Sequence, residues 1–292
     1  MLFIEVKIMS NNPLQQYFRQ ASLFLKLPTL GRWYTDKEVV VNDDKEIPVY
    51  GLTAVDDIML NTPDAMLNGN ALENVIKSCA PDVKNVKKLL VPDIEALFLG
   101  IKVSTTGGKY DVDRKCPKCS EENTFEVNCQ YLLDTMSYVE DSDTVITLND
   151  ELEIHVKPYS LEMRQMFIHR QFEEDRLLKS IDESNKKLDE FEKARILGES
   201  IEKISRITFD LVSKSIESIK LLKTGVSITD HANISEWLVK IPKAQADVVI
   251  GTVNKLNEIG VNKTVAAKCS KCAHEWEETL NFDPVSFFGK RS

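Results

Sequence analysis

The chain has 292 residues, 42% of them hydrophobic and 28% charged, with a net charge of −9. That is enough apolar chain for one large core or two small ones without covalent staples. The acidic balance argues against a general nucleic-acid binder, and no apolar run approaches the roughly 20 residues that a membrane helix needs.

Met1 to Ile8 is apolar but too short for a signal peptide, with no cleavage region. It reads as an added strand or as sequence upstream of a true start at Met9. Residues 10–60 read as extended and loop-rich. Leu23 to Leu27 alternates weakly before Pro28, and Val39–Val41 and Ile47–Tyr50 are strand pieces around the polar turn Asn42–Asp44. Thr62-Pro63-Asp64 has the form of a helix start with proline at the first helical position. Leu72, Val75, Ile76 and Cys79 then follow at helical spacing. A second helix is predicted from Pro92-Asp93, with Ile94, Leu97, Phe98 and Ile101 on one face and a stop at Gly107-Gly108.

A hairpin follows, with Tyr110 and Val112 alternating on the strand that enters its turn and Phe125, Val127 and Cys129 alternating on the strand that leaves it. A second hairpin is predicted for Val145–Leu148 and Leu152–Val156 around Asn149-Asp150. Residues 160–223 read as mostly helix. Leu197, Ile201, Ile204, Thr208, Leu211 and Ser215 form its stripe, and Ile207, Ile216 and Ile219 widen it. The densely charged run from Asp182 to Lys193 is a helical tip or a solvated stretch of one long helix. A further helix is expected between Lys243 and Ile259. The last hairpin takes Val265 and Ala267 in and Trp276 and Leu280 out, and the tail from Phe282 to Gly289 is apolar for a terminus.

Four of the six cysteines lie in two dipods, Cys116-Pro117-Lys118-Cys119 and Cys269-Ser270-Lys271-Cys272, each at a hairpin turn. Four thiolates in two such dipods are the ligand set of one tetrahedral structural Zn2+. The dipods of a zinc ribbon are usually about 15–20 residues apart, whereas 149 residues separate Cys119 from Cys269. Insertion between knuckles is physically allowed. Two free dithiols, disulfides and redox motifs are the competing readings, and the shared metal is the one adopted, one Zn2+ per chain. Four thiolates leave no open position for water, so the metal would be structural and not catalytic. Reduced, paired thiols suit metal binding in a cytoplasm.

Cys79 and Cys129 read as small buried hydrophobes, and His274 as an outer strand residue and not a ligand. His155, His169 and His231 have no nucleophile or carboxylate at motif spacing, and no phosphate-binding, dinucleotide or hydrolase motif occurs. The sequence therefore reads as a non-enzyme with no small-molecule substrate.

The elements add up to an α+β protein: a split zinc-ribbon-like β-hairpin module, a mainly helical insertion and an extended N-terminal arm. The divisions expected are an arm over 1–60, helices and the first dipod hairpin over 61–130, a hairpin and helical insertion over 131–260, and the second dipod hairpin with the apolar tail over 261–292.

Several stretches, taken in order, carry a family likeness. They are Asn12 to Gln20, Leu25 to Pro28, Ile47 to Tyr50, Leu52 to Asp57, Thr62 to Gly69, Val75 to Cys79, and the first dipod with Glu122-Asn123-Thr124. Together they resemble the baseplate (hub) proteins of contractile-tailed, T-even-like bacteriophages, closely over about 10–130 and loosely beyond. The resemblance implies a structural component of the virion tail baseplate, or a chaperone that assembles the hub without remaining in it. Its partners would be other phage tail proteins. Tyr17, Phe18, Phe24, Leu25, Trp33 and Tyr34 would suit a groove on a neighbouring subunit, or would pack on the chain's own core. A zinc-ribbon nucleic-acid-binding regulator is the rival from another class. Lys115, Lys118, Lys268 and Lys271 favour it, while Glu121, Glu122, Glu275, Glu277 and Glu278 oppose it.

Overall fold

The computed structural model describes residues 12–60, 70–183, 190–280, 282 and 287. The start before residue 12, the expected helix start at Thr62-Pro63-Asp64, the middle of the charged run and most of the tail after 282 lie outside the described residues. The architecture is α+β, with helices around small antiparallel sheets.

The organising element is a helix that the sequence makes apolar on every side. It spans Val91–Thr106, and twelve consecutive residues, from Val91 to Lys102, are buried. The sequence pattern predicts a single apolar face here. Leu99 and Ala96, outside that face, are equally buried, as befits a helix wrapped by the rest of the molecule. Four earlier and smaller elements precede it. Strands β1 (Leu23–Lys26) and β2 (Glu46–Val49) form an antiparallel pair, and helices α1 (Ala54–Leu60) and α2 (Asn70–Cys79) follow, which makes the central helix α3. The segment expected as an extended arm is thus folded back from Leu23 onward, because Leu25, Leu27, Ile47 and Val49 bury their side chains in the core around α3. Gly51 is required where this segment crosses α3: a Cβ there would stand 2.5 Å from the Ser104 carbonyl oxygen.

Strands β3 (Lys109–Lys115) and β4 (Glu122–Asn128) form the first dipod hairpin, and helix α4 (Cys129–Asp134) returns the chain to α3. A second core then begins. Strands β5 (Val145–Leu148) and β6 (Leu152–Val156) pair as expected around Asn149 and Asp150, both left-handed at φ 53° and 54°. Helices α5 (Leu161–Glu183) and α6 (Glu190–Ser215) pack together.

The helix does not run on to 223. It stops at Ser215, and Ile216–Leu221 is strand β7, which pairs with β6 and with the short β8 (Ser227–Ile228). The register shifts between His155 and Val156, so that Val156 faces Ile216 and Ile154 faces Ile219. One extra residue puts two isoleucines three apart on the same face of a strand, which mimics the period of a helix. Helix α7 (His231–Lys240) has no counterpart in the elements expected from the sequence; Asp230 caps it by accepting from the Asn233 N–H at 3.0 Å. Helix α8 (Lys243–Glu258) buries Val249, Val253 and Leu256 against the sheet.

The stretch between Ser137 and Gly260 has its two ends side by side. Ser137 N–H donates to the Gly260 carbonyl at 3.0 Å, and Gly260 N–H donates to Ser137 Oγ at 3.0 Å. Strands β9 (Thr264–Lys268) and β10 (Glu275–Thr279) then form the second dipod hairpin. Two residues of the tail are described, and neither is exposed. Phe282 and Phe287 are buried, Phe287 stands edge-on to Tyr110 at 4.7 Å, and the buried Lys102 ammonium donates to the Phe287 carbonyl at 3.3 Å. Among the described residues no helix is long and apolar enough to cross a membrane.

Candidate metal centre

Each dipod occupies a turn of the same construction. In the first, Cys116 N–H donates to the Glu121 carbonyl at 2.8 Å, Ser120 N–H donates to the Cys116 carbonyl at 2.9 Å, and Ser120 is left-handed at φ 59°. In the second, Cys269 N–H donates to the His274 carbonyl at 2.9 Å, Ala273 N–H donates to the Cys269 carbonyl at 3.0 Å, and Ala273 is left-handed at φ 55°. Neither left-handed residue is glycine, a conformation that costs an L side chain roughly 1–2 kcal/mol. The same unfavourable backbone in both turns bends each pair of cysteines to one side of its hairpin.

The two hairpins meet by their inner faces. Phe125 stands edge-on to Trp276 with ring centres 5.6 Å apart, and Arg114 Nε donates to Glu278 Oε1 at 2.6 Å. Asn123 Oδ1 accepts from Ser270 N–H and Oγ–H, both at 2.9 Å. These contacts bring the four predicted ligands together. Cys116 Sγ lies 3.7 Å from Cys272 Sγ, Cys119 Sγ lies 3.6 Å from Cys269 Sγ, and all four sulfurs lie within 4.8 Å of one another. A disulfide requires about 2.05 Å, so these are four free thiols. Ligands at about 2.3 Å from a tetrahedral zinc stand about 3.8 Å apart, close to the 3.6 and 3.7 Å of these two pairs. The donor set, the spacing and the partial burial all fit one metal ion.

Electrostatics point the same way. The Cys272 N–H, with the Lys271 N–H, holds the Cys269 thiol down to about 6. The Glu121 N–H acts likewise on Cys119, but burial and the sulfurs of Cys272, Cys269 and Cys116 outweigh it and push that thiol up to about 12. A charge at Cys269 is thus favoured and a second at Cys119 disfavoured, a conflict that a cation among the sulfurs would relieve. Lysines beside the turns are tied to acids: Lys115 to Glu122 at 3.3 Å, Lys268 to Glu275 at 2.8 Å and Lys271 to Glu121 at 2.7 Å. Those pairs neutralise the basic stripe that a nucleic-acid surface would need.

His274 belongs to the second turn and not to β10; its ring stacks on Trp276 and stays outside the thiol cluster. Cys79 and Cys129 are buried free thiols, each pushed up to about 11 by burial. Asn123, Arg114 and Glu278 carry the junction of the hairpins, and no motif in the sequence marks them.

The six aromatic and apolar residues offered for partner contact divide. Tyr17 is 77% exposed, and Phe18 and Phe24 are also exposed. Leu25 is 3% exposed and belongs to the first core. Trp33 packs on the second core and donates Nε1–H to Glu217 at 2.8 Å. Tyr34 O–H donates to the buried Asp93 carboxylate at 2.6 Å and accepts from Leu90 N–H at 2.8 Å. Leu25 is therefore a core residue and not a docking one, while Trp33 and Tyr34 are half-buried against the two cores with their polar atoms paired within the chain. Arg19 donates to the Gly51 carbonyl and to Ser78, and pairs with Asp56 at 3.4 Å, which fixes the start of the described chain against α1. Val55 and Ile58 of α1 are exposed as well.

No curated protein and no solved structure matches the chain. One family model, described as T4 bacteriophage base plate protein, matches residues 22–289, a span that takes in both hairpins, both cores and all four clustered cysteines. The chain belongs to that baseplate protein family.

Proposed function

We propose that this protein is a structural component of a phage contractile-tail baseplate or its hub, made in the host cytoplasm and carried in the virion tail. The family match over 22–289 is the observation that carries the reading. In it, the four thiols hold one structural Zn2+ in a split zinc-ribbon arrangement. Cys116 and Cys272 are 156 residues apart, so the metal closes a very long loop. By the chain-entropy argument a cross-link over such a span restricts the unfolded chain by roughly 5 kcal/mol. Residues 131–260 would then be an insertion hung from the clasped module, a division supported by the paired bonds between Ser137 and Gly260. The zinc supplies rigidity and no reaction.

Neighbouring tail proteins would dock on Tyr17, Phe18 and Phe24, large apolar side chains that the fold leaves in water. Quantitative mass spectrometry of purified virions tests the reading. A fixed whole-number copy of this chain per particle is expected. Its presence in infected cells but absence from particles would overturn the structural role in favour of an assembly chaperone.

A further inference from the structure

We propose that Asn123 is the positioning residue of the metal centre, a planar amide that holds the second knuckle in its ligating form against the first. The inference rests on reading the four thiols as one metal site. Asn123 lies on β4, only 7% exposed, on the same face as Phe125 and Val127. A polar side chain at such a place stays only if its atoms are satisfied. Here the whole capacity of the amide is used. Oδ1 accepts from Ser270 N–H and Ser270 Oγ–H, both at 2.9 Å. Nδ2 donates to the Glu121 carbonyl at 2.9 Å and points its other hydrogen at Cys269 Sγ, 3.8 Å away.

Those partners are not arbitrary. The Glu121 carbonyl is the one that closes the first turn on Cys116 N–H. Ser270 follows the first cysteine of the second turn. One side chain therefore joins the closing bond of one knuckle to the opening residues of the other, across 146 residues of chain. The N–H directed at Cys269 fixes the direction of its sulfur, the part that outer-shell groups play around metal ligands.

Purified full-length protein is titrated against a chromophoric zinc chelator, and the Co2+-loaded form is examined by visible absorption. Asn123→Asp keeps acceptor oxygens for Ser270 but removes both donors and adds charge beside the sulfurs. Asn123→Ala removes everything, and Ser270→Ala removes only the hydroxyl bond. The expectation is about 10–100-fold weaker zinc binding for both Asn123 variants, with an altered Co2+–thiolate spectrum, and a smaller loss for Ser270→Ala. A variant that merely loosened the fold would lower the unfolding midpoint without changing the Co2+ spectrum of the folded fraction. If wild type binds one metal and the Asn123→Asp and Ser270→Ala variants bind it within twofold with the same spectrum, the positioning role is overturned and the metal site stands. If wild type binds neither zinc nor cobalt, the metal site itself is wrong.

Discussion

Asp93 lies in the first turn of α3 with no exposed surface, and the account makes it a carboxylate that the fold tolerates at a cost. Burial raises it from 3.8 to about 6, although bonds from Thr29 Oγ1, Tyr34 O–H and Thr29 N–H pull the other way. A raised carboxyl binds its proton more tightly in the folded state than in the unfolded one. Its contribution to stability is therefore full below about 3.8, declines as pH rises to about 6, and is constant and lowest above that. Two pH units at about 1.4 kcal/mol each give about 3 kcal/mol. Asp93→Asn keeps the shape and one acceptor oxygen but cannot titrate. Urea unfolding of both proteins between pH 4 and 8 isolates the term, because titration of the thiols is common to the two and cancels. Wild type should lose about 2 kcal/mol relative to Asp93→Asn between pH 4 and 6 and only about 0.4 kcal/mol more by pH 8. A difference independent of pH, or wild type gaining on the variant as pH rises, would refute the reasoning.

Three further outcomes follow from packing and exposure. Phe287→Ala should lower stability by about 3–5 kcal/mol in urea unfolding, since the ring is fully buried among Tyr110 and Phe282; a loss below 1 kcal/mol would mean that the tail does not pack there. Gly51→Ala should cost about 1–3 kcal/mol, because the new methyl meets backbone and not a movable side chain; a neutral result would place the crossing over α3 further away. Tyr17→Ser with Phe18→Ser should leave the thermal midpoint near wild type while sharply reducing incorporation into particles, and undiminished incorporation would remove this surface from the docking account.

What the sequence made legible was local. The dipods, their hairpins, the β5–β6 turn at Asn149-Asp150 and the helix stop at Gly107 follow from short-range rules of spacing and turn chemistry. What it concealed depended on distant partners. Ile216 and Ile219 carry a helical spacing that a bulge converts into one strand face, visible only once β6 is in place. Leu25, Trp33 and Tyr34 look like the side chains of a docking arm until Asp93, Glu217 and the two cores claim them. Asn123 was quoted only as part of a family likeness, since nothing local distinguishes an amide that reaches across 146 residues from a solvated one. The likeness read chiefly on residues 10–130 extends through the second hairpin, as the family match to residue 289 shows.

The central claim is that the four thiols share one metal that clasps the two halves of the chain. Metal content of the purified protein, measured alongside Cys116→Ser and Cys269→Ser, tests it most directly. The account predicts one zinc per chain in wild type and its loss from both variants, although each changes a different hairpin. Zinc retained by either variant would show that the hairpins bind independently, and a wild-type protein that takes up no metal would contradict the clasp altogether.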